Sequence, residues 1–299
     1  MPEEKFFLRR PPPPNTLLGY YRALSKSAFI HVSPIALGDN WAANGVNRTS
    51  DGLAFKLLDT YFDNGGNFID VANHYQSGKS EELVGQWMAT RKTPRPTTKP
   101  PTQTPNNAST TSATGKVLYL GASNTPTWVV ARANQSAVDH GKTPLSIYTG
   151  CWNVLDRSLE AEVIPMARGF DMAVAPWEVL CGGRLRSDAE EERRRATGEK
   201  GRDTAGTRWE RTEQEINMVN ALEAIAKEVG AHSLGAVAIA YLFHKHILSN
   251  VEAIDIQLTA EEIAQLEAVK AWQPGMPHAI IGDGIKNNIL VDINAHVDQ

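Results

Sequence analysis

An aspartate inside an apolar run, followed five residues later by a tyrosine, is the first arrangement in this chain that could do chemistry. Asp70 sits in Phe68-Ile-Asp-Val71, after Gly65-Gly66, and Tyr75 follows in the loop. A carboxylate inside such a run costs several kcal/mol in desolvation unless it is partnered. Two further sets of polar residues follow apolar runs. Ser123-Asn124 supply a hydroxyl and an amide able to hydrogen-bond a planar carboxamide. Gly182-Gly183-Arg184 could bring backbone N–H groups and a guanidinium to a phosphate. The first two have plainer alternatives, a structural Asp with a surface Tyr and a turn with a cap, and the third is a weak signal alone. His74 beside Tyr75 reads first as a solvated loop residue. His244 and His246, two apart on one helix, lie on different faces and do not form a metal pair. The chain has no G-x-G-x-x-G, no Walker motif and no Gly-x-Ser-x-Gly elbow.

The elements that must position these groups alternate. Phe29 to Leu37 reads as a first strand. Ser50 or Asp51 can cap a helix running to about Asn64, which Gly65-Gly66 ends. Phe68 to Val71 is the next strand, and Ser80 caps a helix to about Arg91. Val117 to Leu120 is a strand, and Thr125 caps a helix carrying Pro126 in its first turn. Leu145 to Tyr148 is a strand with Thr149 in its exit, and Met172 to Ala175 another. Helices follow over Leu159 to Ala167, Glu213 to Val229, Leu234 to His246 and Glu261 to Trp272, the last behind a Thr259–Glu262 capping box. Strand–helix alternation is the pattern of an α/β fold with a parallel sheet.

Two stretches break the rhythm. Residues 92–114 hold eight Thr and five Pro in 23 positions, with only Ala108 and Ala113 apolar, which predicts a loop with no packed surface. Residues 187–213 are densely charged and read as a solvated face or loop. Residues 1–28 read as an N-terminal arm with extended Pro11 to Pro14. Residues 29–272 form the main domain and 273–299 a tail.

Bulk properties narrow the function classes. The chain has 299 residues, a net charge of −4 and 41% apolar residues, enough for one large α/β domain or two small ones and without the basic excess of a nucleic-acid binder. Two cysteines do not make a disulfide framework. No apolar run approaches a membrane span, and the N-terminal residues lack the apolar core of a signal peptide, so the expected setting is cytoplasmic.

Four stretches together resemble the aldo-keto reductase superfamily, nearest its fungal aryl-alcohol dehydrogenase and norsolorinic-acid-reductase-like branch. They are FKLLDTYFDNGGNFIDVANHYQSGKSEELVGQWM, GKVLYLGASNTPTWVVARANQSAVDHGKTPLSIYTGCWNVLDR, EVIPMARGFDMAVAPWEVLCGGRL and NVEAIDIQLTAEEIAQLE, in family order. The resemblance implies a (β/α)8 TIM barrel that binds NADP(H) at its C-terminal face. It implies hydride transfer to or from a small-molecule carbonyl or alcohol, here a fungal secondary metabolite of polyketide or terpenoid type. Tyr75 matches the family's general acid and Asp70 its acidic partner. Ser123 and Asn124 match the carboxamide contacts, and Thr149 the contact to the nicotinamide face. Glu178, Val179, Leu180, Cys181, Gly182, Gly183, Arg184 and Leu185 match the loop over the pyrophosphate, and Asn250 the adenine contact.

The chain also departs from that family pattern. Strands three, four and eight are not evident. The catalytic Lys has one possible remnant, Lys99, with no strand around it, and no His lies between Tyr75 and His140. The alternative expectation is therefore a shortened relative without catalysis, acting as a binding or scaffold protein.

Overall fold

The strands fall into three sheets. Arg22–Ser25 (β1) and Ala28–Val32 (β2) form an antiparallel hairpin with Arg22 opposite Val32. Leu37–Gly38 (β3), Phe68–Asp70 (β4) and Thr97–Thr98 (β5) form a parallel sheet in that order. Leu120–Ser123 (β6), Leu145–Cys151 (β7) and Ala173–Trp177 (β8) form a second parallel sheet. The helices are Asp51–Asp63 (α1), Lys79–Arg91 (α2), Thr127–Asp139 (α3), Val163–Gly169 (α4), Asp188–Thr197 (α5), Glu213–Glu228 (α6), Leu234–His246 (α7) and Ala260–Val269 (α8). This computed structural model describes residues 13–38, 51–72, 75–91, 97–98, 117–198, 210–246, 256–273, 275 and 278. The chain is α/β with parallel sheets. No helix among the described residues is long and apolar enough to cross a membrane.

Several expectations need correction. The stretch read as a single strand from Phe29 to Leu37 is two, β2 and β3, in different sheets. The N-terminal arm expected to reach residue 28 contains β1, because Ser25 and Ala28 pair across a tight turn. The Thr/Pro-rich stretch contains a strand after all. Thr97 pairs with Phe68 and Thr98 with Ile69. Thr is β-branched and suits extended backbone, so two of them suffice at a ready edge. Thr125 does not cap α3. Its hydroxyl donates to the Ser123 carbonyl, and Pro126 stands at the cap. The charged region is not a plain solvated face either: Ser187 caps α5 by accepting from the Glu190 N–H, and Glu191, Arg186 and Arg211 are buried in mutual ion pairs.

Three apolar clusters hold the layers. Leu58, Tyr61, Ile69, Val84 and Trp87 join α1, α2 and β4. Met218, Leu222, Val237 and Tyr241 bring α6 and α7 into a larger cluster with Tyr148 and Val130. Val32, Phe68 and Ile147 share a third with Ala173 and Ala175. That last cluster matters most for the architecture. It places β2, β4, β7 and β8 around one apolar layer, so both parallel sheets bury side chains against the same interior.

Tyr61 fixes the start of β4. Its hydroxyl shares one proton between the carbonyls of Ile35 (2.7 Å) and Phe68 (2.8 Å), and accepts from the Phe68 N–H at 3.2 Å. Ser33 Oγ lies 2.7 Å away. The ring rests on Gly66, where an added Cβ would come within 2.3 Å of it. A second fixed point ties α7 and α8 to the loop after β7. Arg157 pairs with Glu160 at 2.7 Å and with Glu267 at 3.1 Å, and Lys245 meets Glu267 at 2.8 Å. Trp152 Nε1 donates to Glu160 and the Tyr241 hydroxyl to Glu267.

Tyr61→Phe should cost about 1–3 kcal/mol, the penalty of leaving buried carbonyls and an N–H without their partner, measured by urea denaturation. Glu267 supplies a pH test. Burial opposes its charge, but the Lys245 and Arg157 cations and the Tyr241 hydroxyl outweigh it and hold the carboxyl below the usual range. A depressed folded pKa stabilises above the unfolded value of about 4.3 and is lost as pH falls through the folded value. Glu267→Gln should therefore lower stability at neutral pH, with the gap to wild type closing below about pH 4.

Candidate functional site at the C-terminal strand ends

The register of β6, β7 and β8 brings three of the expected residues together. Ser123 lies opposite Thr149, and Thr149 opposite Ala175. The next residue, Asn124, leaves the strand with φ 49°, and its N–H donates to the Thr149 carbonyl at 3.1 Å. Asn tolerates this left-handed conformation better than most side chains. Tyr148 braces the turn from the neighbouring strand, its hydroxyl donating to the Thr125 carbonyl at 2.9 Å. Thr149 is buried. A hydroxyl, an amide and a second hydroxyl thus meet at one sheet edge.

Directly after β8 comes the loop expected to meet phosphate. Its backbone is repeatedly left-handed, at Glu178 (φ 55°), Cys181 (52°), Gly182 (63°) and Gly183 (87°). Asn153 anchors it, donating from Nδ2 to the Glu178 carbonyl at 3.2 Å, while the Cys181 N–H donates to the same oxygen at 2.7 Å. The Gly183 and Arg184 N–H groups donate to Leu180 and Cys181 carbonyls. Nothing lies within 4 Å of where a Gly183 Cβ would sit, so the backbone faces open space. Arg184 Nε donates to Glu215 at 2.8 Å, and its Nη2 lies 3.9 Å from Glu178. Val179 and Leu185 pack into the large cluster. An open glycine backbone beside a partly exposed guanidinium fits an anionic phosphate group.

Asp70 ends β4 in the other parallel sheet. Tyr75 begins a short 3₁₀ turn, Tyr75–Gly78, its N–H donating to the Ala72 carbonyl at 3.0 Å. Both therefore stand at the C-terminal end of a parallel strand, on a different sheet from Ser123, Asn124 and Thr149. His74, Lys99 and Asn250 lie outside the described residues.

Two positioning residues escaped sequence reasoning. Glu215 holds Arg184 and also completes the Thr212 capping box of α6. The Thr-x-x-Glu spacing at residues 212–215 was the available signal. Asn153 was the other, its Oδ1 accepting from the Leu155 and Asp156 N–H groups in an Asx turn. Among the described residues no group of three or more His, Cys, Asp or Glu is placed to hold a metal ion.

The model of the Aldo/keto reductase family matches residues 34–114 and 109–271. An aryl-alcohol dehydrogenase [NADP(+)] of Phanerodontia chrysosporium is 36% identical over 367 residues, covering 96% of this chain and 95% of its own. An aldo-keto reductase of Aspergillus calidoustus is 34% identical, with 91% and 87% covered. An aryl-alcohol dehydrogenase of Pestalotiopsis microspora is 31% identical, with 92% and 88% covered. The first of these alignments exceeds the 299 residues of this chain by 68, so at least that many of its positions have no counterpart here. The two pieces of the family match join inside the Thr/Pro-rich stretch.

Both thiols sit by this edge, Cys151 at the end of β7 and Cys181 in the loop. Burial pushes each up to about 12, with Glu178 adding to the effect. At pH 8 this leaves roughly a thousandfold fewer thiolates than an ordinary cysteine of pKa about 8.5. Ellman's reagent should label neither thiol on the minute scale in the folded protein and both at once in denaturant.

Proposed function

The chain belongs to the aldo/keto reductase family, and on that premise we propose that it is an NADP(H)-dependent oxidoreductase acting on a small carbonyl compound or the corresponding alcohol. The observation that carries this reading is the meeting of Ser123, Asn124 and Thr149 at one parallel strand edge, beside an open glycine loop with Arg184. The choice of NADP(H) is supported by the name of one relative, an aryl-alcohol dehydrogenase [NADP(+)]. Aryl aldehydes and alcohols are the first substrates to try. A secondary-metabolite substrate and a cytoplasmic setting belong to the same reading, as does a barrel closed around the apolar layer that both parallel sheets share.

In this reading each group has a physical task. The bound nicotinamide supplies or takes up the hydride. Ser123 and Asn124 hold its carboxamide by hydrogen bonds, and Thr149 lies against the ring. Arg184 holds the pyrophosphate, and the open Gly183 backbone leaves room for it to approach. Asn250 meets the adenine. The Tyr75 hydroxyl gives its proton to the carbonyl oxygen. A phenol of pKa about 10 does this well near neutrality only beside a cation. Lys99, the remnant of the family's Lys segment, is the candidate cation, and Asp70 is its partner.

A second reading, cofactor binding without turnover, draws on the sequence between Tyr75 and His140, which holds no His to polarise the carbonyl. NADPH fluorescence on addition of protein tests the shared premise, and no binding at high protein concentration would remove both readings. With binding in hand, turnover of aryl aldehydes supports catalysis, and its complete absence supports the second reading. Tyr75→Phe and Lys99→Met should each lower kcat by about a hundredfold or more, the usual worth of a general acid, with NADPH affinity nearly unchanged. Unchanged turnover in Tyr75→Phe would take that residue out of the mechanism.

A further inference from the structure

We propose that the Glu178 carboxylate competes with the cofactor's phosphates for Arg184, so that its charge weakens dinucleotide binding. The inference rests on the proposed role of the 178–185 loop and concerns one residue within it. Arg184 has two edges. Glu215 takes one, accepting from Nε at 2.8 Å. The Nη2 atom faces Glu178 Oε2 at 3.9 Å. The Glu178 carboxylate also lies over the glycine backbone. A Cβ built on Gly182 would sit 3.5 Å from Glu178 Oε1 and 3.3 Å from Arg184 Nη1. The carboxylate therefore occupies the space beside both groups that would receive a phosphate. Two carboxylates thus face the Arg184 guanidinium, and its charge is already matched before a dianionic ligand arrives.

The two carboxylates differ in kind. Glu215 is buried and bound into the α6 capping box, accepting from the Thr212 N–H at 2.7 Å. Glu178 is a quarter exposed on its side chain and sits at the longer distance, so it can turn out toward solvent. Its backbone is left-handed, a conformation that disfavours most L side chains, and is pinned by hydrogen bonds from Asn153 and Cys181 to its carbonyl. Ligand entry then displaces a side chain rather than rearranging the loop.

Glu178→Gln isolates the charge, because it keeps the side-chain length and the backbone conformation. Inorganic pyrophosphate and NADPH are titrated calorimetrically against wild type and variant at low ionic strength, where the charge is least screened. Both ligands should bind the variant about tenfold more tightly, the scale of one unit charge a few ångströms away in partly solvated surroundings. Equal or weaker pyrophosphate binding by the variant overturns the proposal, as does its absence from both proteins. Tighter pyrophosphate binding, with NADPH bound by neither, sustains the competition and removes the dinucleotide function instead. If Glu178→Gln does not fold, Glu178→Gly, which suits the left-handed backbone, carries the same expectation.

Discussion

Parallel pairing keeps the C-terminal ends of neighbouring strands level, and everything proposed for this protein depends on that constraint. In β6, β7 and β8 the register runs without interruption from Gly121, Ile147 and Ala173 to Ser123, Thr149 and Ala175. Slipping one strand by a residue would turn Thr149 to the opposite face and part it from Ser123. The register is held by burial on the inner face, where Ile147 packs with Phe68 and Val32. It is also held at the exit, where the Asn124 and Trp152 N–H groups donate to Thr149 and Trp177 carbonyls. Polar residues at the edge thus inherit their placement from apolar residues two and three positions earlier.

The loop after β8 shows what happens when the chain leaves such an edge. It turns through four left-handed residues, only two of them glycines. The cost is met by anchors from outside the loop, chiefly Asn153 and Glu215. Arg184 is presented as a result of that framework, and so is Glu178. The same geometry that opens a glycine surface also seats a carboxylate over it.

The sequence was most legible where an element is long and carries its own punctuation. The capping box at Thr259 and the span of α7 stand where the residues indicate. It was least legible where pairing partners decide the outcome. Thr97 and Thr98 carry no periodicity, and only the free edge of β4 makes them a strand. Strands β6 and β7 run on to Ser123 and Cys151, past the ends that the apolar runs predict, because the ladder continues through polar Ser and Thr. The buried ion pairs of Arg186, Glu191 and Arg211 were hidden for a related reason. A run of charges reads as solvated until its far end, here Arg211, folds back to cover it. The candidate site residues are legible only as positions in a family pattern, since none of their spacings alone excludes a structural role.

The brevity of β5 bears on how the chain behaves in time. Two residue pairs tie it to β4, against the long ladders that tie β7 to both neighbours. Local stability in a fold follows the contacts that must be broken to open each part. The β7 ladder opens only with the domain as a whole, whereas the β4–β5 ladder can part on its own. Thr97 and Thr98 are thus held with less local stability than the strands that flank β7. Any work done there is done by the attached fraction, and a ligand that favours attachment also organises that part of the chain.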